Sequence, residues 1–187
     1  MYAKKRLLPI ILTAALGAAS AQASDYQMGV HLQSATASMS TQWSADSATS
    51  DPKVDPTLGI ALSVDRNLRD DLRLGAELSR AAWDKATLSS LLLTGDYLYP
   101  ASEAIMLYGG LSIGVAHFDT DLTSDSTTGA VYGLRAGIEH PYRELTIRLG
   151  IDYRLSSLET KKEILGSQKA VTLDNTLHVG VGAIWGF

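Results

Sequence analysis

Charged side chains recur at alternate positions within otherwise apolar stretches of this 187-residue sequence. In the clearest stretch, Arg148, Asp152 and Arg154 alternate with leucine, isoleucine and tyrosine. The same alternation elsewhere places nine charges on one face, namely Asp65, Arg73, Glu77, Asp96, Arg135, Glu139, Arg148, Asp152 and Arg154. Charges that share a confined space must pair, be hydrogen-bonded or hold water, because an isolated buried ion is too costly. The chemistry predicted for these residues is therefore an ion-pair network.

Three roles are open for such a network. It could be a structural plug, a gated narrow pore in which the pairs exchange partners, or part of a catalytic site. Chain positions on either side of short turns predict three pairs: Asp65 with Arg73, Glu139 with Arg148, and Arg135 with Asp152.

The sequence offers few other groups for catalysis or metal binding. His31 and His178 fall on the first and last predicted strands, on the same face, but no spacing supplies a third metal ligand. Ser112 and His117, candidates for a hydrolytic pair, lie five positions apart and should face opposite sides of their strand. We therefore predict no catalytic residue, no metal and no cofactor.

An acidic stretch, Asp119–Asp125, has the look of a loose calcium loop. It lacks the glycine and the terminal glutamate of an EF-hand loop. A solvated acidic loop is the plainer interpretation.

Period-two alternation predicts the elements that carry these residues. Eight strands are expected: Tyr26–Gln33, Leu58–Asp65, Leu72–Ser79, Ser90–Tyr99, Ile105–Phe118, Ala130–Glu139, Leu145–Leu155 and Thr176–Phe187. Strands of about 9–11 residues can cross a bilayer at a tilt. The sequence thus predicts an all-β fold, a transmembrane antiparallel up-and-down barrel of about eight strands.

The two faces of these strands differ in composition. One face is almost purely aliphatic, whereas the other mixes glycine, alanine and serine with the charges. An interior of eight strands is just wide enough for side chains to fill, so the small and charged face should point inward and the aliphatic face toward lipid. Face assignment stays open where apolar residues interrupt the polar side, at Leu92, Leu98, Met106 and Tyr108.

Aromatic residues near the strand ends predict two girdles at the membrane interfaces. The inner girdle should contain Tyr26, Tyr97, Tyr99, Tyr142, Trp185 and Phe187, and the outer one Trp43, Trp83, Phe118 and Tyr153.

The connections between the predicted strands alternate in length. The longer ones, rich in serine, threonine, aspartate and lysine, are Ser38–Pro56, Asp119–Thr128 and Ser156–Lys169, with Ala82–Ala86 a short exception in that series. The others, around Asn67–Asp71, Pro100–Glu103 and His140–Glu144, are short. Short periplasmic turns and longer external loops are typical of outer-membrane barrels.

The N-terminus has the pattern of an export signal. Lys4, Lys5 and Arg6 precede the apolar stretch Leu7–Ala19, and Ala21-Gln22-Ala23 offers a cleavage site. We predict a cleaved signal peptide over residues 1–23 and one barrel domain over residues 24–187.

The whole chain carries a formal net charge of −4, which argues against a nucleic-acid surface. It contains no cysteine, which excludes disulfides.

The C-terminal residues Val179-Gly180-Val181-Gly182-Ala183-Ile184-Trp185-Gly186-Phe187 resemble the signal that the outer-membrane barrel assembly machinery reads. Tyr99-Pro100 and the glycine-rich run Tyr108–Gly114 are similar to a hairpin of the broad OmpA-like and OmpX-like small barrel families. The resemblance implies a bacterial outer-membrane location and gives Trp185 and Phe187 the role of an assembly signal. It implies no particular activity, because these families share architecture more than chemistry.

The function expected from the sequence is that of a non-enzymatic, monomeric outer-membrane barrel. Its lumen would be filled by ion pairs and its external loops would contact lipopolysaccharide or surface partners. The expected partners are outer-membrane lipid, lipopolysaccharide and the barrel assembly machinery, and not nucleic acid. The alternatives are a narrow gated pore for small solutes and a lipid A-modifying enzyme.

Overall fold

A computed structural model describes residues 26–43, 46–50, 55–121, 125–164 and 167–187. The predicted signal peptide lies outside these described residues. The strands are β1 (Tyr26–Trp43), β2 (Asp46–Ser50), β3 (Thr57–Arg69), β4 (Leu72–Trp83), β5 (Ala86–Ser102), β6 (Ile105–Thr120), β7 (Asp125–Tyr142), β8 (Leu145–Ile164) and β9 (Ser167–Gly186). Among the described residues, no helix has the length and hydropathy to cross a membrane.

The strands form one antiparallel sheet that closes on itself. The order is β2-β1-β3-β4-β5-β6-β7-β8-β9, and β1 also pairs with β9 from Gln27↔Gly186 to Trp43↔Lys169. The short β2 pairs only with the last residues of β1, so eight strands make the barrel wall. The predicted fold, a closed up-and-down barrel of eight strands, is confirmed.

Tyr26, the first described residue, and Phe187 lie at the same end of the barrel as the short turns. Two-residue turns join β3 to β4 and β5 to β6 there, and the turn Arg143–Glu144 joins β7 to β8. Arg143 takes the left-handed conformation, with φ of 57°. Short turns mark the periplasmic end of an outer-membrane barrel, so the opposite end is the external one.

Three of the four external connections contain more strand than the sequence predicted. Much of Ser38–Pro56, Asp119–Thr128 and Ser156–Lys169 continues the neighbouring strands, and β8 and β9 run to Ile164 and from Ser167. The prediction of long loops there was wrong. The outward side chains of these extensions are largely polar and form no aliphatic series, so the sequence hides the alternation, although Leu158, Thr160 and Val171 still point inward and are buried.

The barrel has its aliphatic face outside. Leu58, Leu93, Leu111 and Leu134 are each more than 60% exposed, as is expected of side chains that contact lipid. The structure also decides the face of three residues that the sequence left open: Leu92, Leu98 and Tyr108 point into the lumen.

A β-bulge changes the alternation of β9. Ser38 of β1 pairs with Asn175 and Met39 with Leu173, so Asp174 is an extra residue. In a regular strand an odd and an even position face opposite sides. Leu173, on the external side of the bulge, and Thr176, on its periplasmic side, are nevertheless both buried. The bulge therefore keeps apolar side chains inside the external half of the barrel.

Candidate functional site: the barrel lumen

The lumen holds all nine of the charged residues singled out by alternation. They come from β3, β4, β5, β7 and β8, and the side chain of Asp152, the most accessible, is only 13% exposed. Together they amount to four positive and five negative groups.

Ion pairs link the nine residues into one unbranched series of alternating sign, here called the charge chain. Its order is Asp65, Arg148, Glu139, Arg73, Asp96, Arg135, Glu77, Arg154, Asp152. The successive nitrogen-to-oxygen distances are 3.5, 2.7, 2.9, 3.1, 3.3, 3.6, 2.6 and 2.7 Å. Each arginine lies between two carboxylates, so no cation in the series is left without a counter-ion.

Several links cross the lumen instead of following the sheet. Arg73 on β4 binds Glu139 on β7, and Arg148 on β8 binds Asp65 on β3. Such ion pairs connect opposite walls of the barrel. They therefore stabilise its closed form from the inside.

Two of the three predicted pairs differ from the structure. Asp65 is paired with Arg148 instead of Arg73, and Arg135 is bound to Glu77 and Asp96 although it lies in register with Asp152. The predicted pair of Glu139 with Arg148 is present, with Nε donating to Oε1 at 2.7 Å. Long arginine side chains reach across a narrow lumen as easily as along the sheet, so register alone does not choose their partners.

Tyr108 of β6 lies at the centre of the charge chain. The guanidinium groups of Arg73, Arg135 and Arg148 lie 5.2–5.9 Å from the centre of its ring, within cation–π range. A Cβ atom at Gly150 would collide with the Tyr108 hydroxyl, so the absent side chain there makes room for the ring. The sequence left the face of Tyr108 open and gave it no role, although it shares the inward parity of Ser112.

A cavity of about 40 Å³ adjoins the charge chain beside His31, Asp152 and His178. That volume has room for a few water molecules, since one needs roughly 10–15 Å³ on this measure. Asp152 Oδ1, His178 Nδ1 and Arg148 Nη1 are buried without a hydrogen-bond partner in the protein. These atoms and the cavity volume together fit a small group of buried waters.

An apolar layer fills the lumen between the charge chain and the external end. Its members are all less than 9% exposed and include Met39, Leu88, Leu92, Phe118, Val131, Leu158, Val171 and Leu173. Trp83 belongs to the same layer and donates its indole N–H to the Ala35 carbonyl oxygen at 3.3 Å.

The assignment of Trp83 and Phe118 to the outer girdle was therefore wrong. Each lies an even number of positions from buried charged or polar residues on its own strand. Their place in the alternation, and not their aromatic character, therefore decides that they point inward. The outer interface instead exposes Tyr132 together with the predicted Tyr153, and Tyr97, Tyr99 and Tyr142 are exposed near the periplasmic end. The side chain of Trp43 lies outside the described residues.

The remaining candidates do not assemble into a reactive site. His31 and His178 bind Ser63 and Thr176, and they lie four positions apart along β1, since His178 is in register with Ala35. Ser112 is buried in the lumen, whereas His117 faces outward.

Within the described ranges, no group of three or more His, Cys, Asp or Glu has the arrangement of a metal site. Of the acidic stretch 119–125, residues 122–124 lie outside the described part of the chain.

The predicted assembly residues end the last strand. Trp185 is half-buried and in register with Met28, and the Phe187 amide donates to the Tyr26 carbonyl oxygen at 3.2 Å. The C-terminal residue thus extends the pairing that closes the barrel.

Sequence comparison identifies the class to which this closed barrel belongs. A family model described as "Outer membrane protein beta-barrel domain" matches residues 10–184. The chain is therefore a member of the outer-membrane protein β-barrel domain family and a protein of the bacterial outer membrane. A search of curated protein sequences found no match.

Solved structures share the fold at low sequence identity. Neisserial surface protein A is 15% identical over 89% of this chain and 99% of its own, with a TM-score of 0.64. AlkL in lipid bilayers is 12% identical over 89% of this chain and 91% of its own, with a TM-score of 0.57. OprG of Pseudomonas aeruginosa is 16% identical over 88% of this chain and 97% of its own, with a TM-score of 0.54.

Proposed function

We propose that this protein is a sealed, non-enzymatic outer-membrane barrel that acts through its external end, where it contacts lipopolysaccharide or other surface partners. The charge chain is the observation that carries the proposal. An ion crossing the lumen would have to separate paired charges and then pass the apolar layer. Separating the pairs would leave buried charges without counter-ions, and the apolar layer would surround the ion with apolar side chains. Both steps are costly.

The external end offers a surface for contact. On β8 the lipid-facing aliphatic series ends at Leu155, and the strand continues to Ile164. Glu159 and Lys161 on this extension form an exposed ion pair of 3.1 Å. Since β9 and β1 extend alongside, three paired strands continue beyond the aliphatic belt with a largely polar outward face.

A lipid A-modifying activity has less support from the arrangement of residues. The Ser112 hydroxyl lies in the lumen, whereas a lipid substrate lies outside the barrel. His117 is on the opposite face of the same strand and makes its hydrogen bond with Thr128. A nucleophile and its base must lie within hydrogen-bonding reach of each other.

Planar-bilayer recording of the purified, folded protein tests the sealed lumen. We expect no discrete current steps from the wild type or from Arg135→Gln, after insertion has been checked by heat-modifiable gel mobility. Current steps that change with Arg135→Gln would instead establish a gated pore. Mass spectra of lipid A from cells with and without the protein should be identical, and a new deacylated or acylated species would overturn the non-enzymatic assignment.

A further inference from the structure

The lipid-facing wall of β4, β5, β6 and β7 changes from apolar to polar within one row. The last apolar row consists of four residues in register: Leu78, Leu91, Val115 and Ala130. The next row toward the external end, here called the polar row, consists of Arg80, Ser89, His117 and Thr128, again in register. On these four strands the polar row therefore lies on the external side of the last apolar row.

The polar row presents hydrogen-bond donors of the kind that a phosphate needs. Neighbouring strands lie about 4.8 Å apart, so Arg80 and His117 flank Ser89 with roughly 10 Å between them. His117 Nδ1 lies 2.8 Å from Thr128 Oγ1. When the Thr128 hydroxyl donates to Nδ1, the imidazole Nε2 carries a hydrogen that it can donate to a ligand. Arg80 is exposed and adds a guanidinium group, which suits phosphate oxygens.

A shallow depression of about 560 Å³ lies in the same wall, closer to the membrane midplane. Leu93, Leu111 and Tyr132 are among the residues that line it, and Gly95 leaves a gap between Leu74 and Leu111 with which it is in register. Leu93 lies four residues from Ser89 along β5, which is roughly 13 Å at the rise of a strand. An acyl chain could span this distance from a headgroup held at the polar row.

We propose that this wall binds one lipopolysaccharide molecule of the outer leaflet, with a lipid A phosphate on the polar row and an acyl chain in the depression. The two features have the polarity and the order of such an amphiphile, anionic toward the outside and apolar toward the midplane. Asp119 faces outward one row beyond His117 and in register with Thr87, and its negative charge limits how far outward the phosphate can lie. The inference rests on the contact with lipopolysaccharide in the proposed function and gives that contact a site on the barrel wall.

Binding of lipid A to the folded, full-length protein in detergent micelles tests this site. We would titrate diphosphorylated lipid A, follow the bound fraction by native mass spectrometry, and check each variant by heat-modifiable mobility. Arg80→Gln should weaken binding roughly tenfold, the loss expected from one charge-assisted contact of about 1.4 kcal/mol. Asp119→Asn should act in the opposite direction and strengthen binding, because it removes a repulsive charge.

Two further variants separate the headgroup site from the depression. Arg69→Gln removes an exposed arginine at the periplasmic end and should leave binding unchanged. Gly95→Leu should weaken binding by filling the depression, and a Cβ atom there meets only the end of the Leu74 side chain at 3.3 Å. Its effect should be the same with lipid A that lacks a phosphate, whereas the effect of Arg80→Gln should shrink.

Other ligands show whether lipopolysaccharide is the right source of the phosphate. Phosphatidylglycerol binding as tightly as lipid A, or inorganic phosphate displacing lipid A at millimolar concentration, would overturn the assignment. Equal binding by Arg80→Gln and wild type would remove the site altogether. These binding results do not test the sealed lumen, which is tested separately by the planar-bilayer recordings.

Discussion

Replacement of Arg135 by methionine removes an interior member of the charge chain while keeping a long, unbranched side chain. Glu77 would retain Arg154 at 2.6 Å, and Asp96 would retain Arg73 at 3.1 Å. The buried cluster would then carry two excess negative charges instead of one. Removing one partner of a buried ion pair costs about 3–5 kcal/mol, and we expect about 3 kcal/mol because each carboxylate keeps a second partner.

Asp152→Asn is the matched control at the end of the same chain. Asp152 has a single ion-pair partner, Arg154, which keeps Glu77. Its side chain borders the small cavity, so water can solvate the new amide. The substitution also removes the one excess negative charge, and we expect the free energy of unfolding to fall by about 1 kcal/mol or less.

Urea unfolding from lipid vesicles, followed by tryptophan fluorescence, measures both losses. The reasoning requires the Arg135→Met loss to exceed the Asp152→Asn loss by a factor of two or more. Equal losses, or a loss below about 1 kcal/mol for Arg135→Met, would show that the charges are solvated by lumen water and that the charge chain does not brace the barrel.

Three further predictions concern the wall, the packing of the lumen and assembly. Leu149→Arg, on the lipid face near the midplane, should lower the free energy of unfolding from vesicles by about 2–4 kcal/mol, and Glu144→Arg in a periplasmic turn should change it little. Gly150→Ala should cost about 1–3 kcal/mol in the same assay because it displaces the central tyrosine of the lumen, whereas Gly109→Ala, with nothing within 4 Å of the new methyl group, should be neutral. Deleting Phe187 should leave most of the protein without the heat-modifiable mobility of a folded barrel, and a normal gel shift in the outer-membrane fraction would contradict its role as an assembly signal.

Alternation alone was sufficient to predict the central parts of the eight barrel strands and the inward face of the charged residues. Because side chains alternate strictly along a strand, one aliphatic series such as Leu145–Leu155 assigns both faces at once. The same rule already placed Trp83 and Phe118 inside. Their assignment to the outer girdle failed because residue type was given more weight than parity.

Other features depend on information that no single strand contains. Arg73 and Arg148 each have one partner across the lumen, Glu139 and Asp65 respectively, and these partners follow from the curvature of the closed barrel and not from local register. The bulge at Asp174 shifts the parity of β9 by one, and a polar stretch gives no sign of such a shift. Pairing at the external ends of β1, β8 and β9 is equally hidden, since the outward residues there are largely polar and form no aliphatic series.

The charge chain also has a consequence for the order of folding. Its members lie on β3, β4, β5, β7 and β8, and none lies on β1 or β9, the strands that close the barrel. An open sheet could therefore curl and neutralise its own charges before its first and last strands meet. Closure would then join two edges without forming any ion pair, and the same seam could part without leaving any buried ion unpaired.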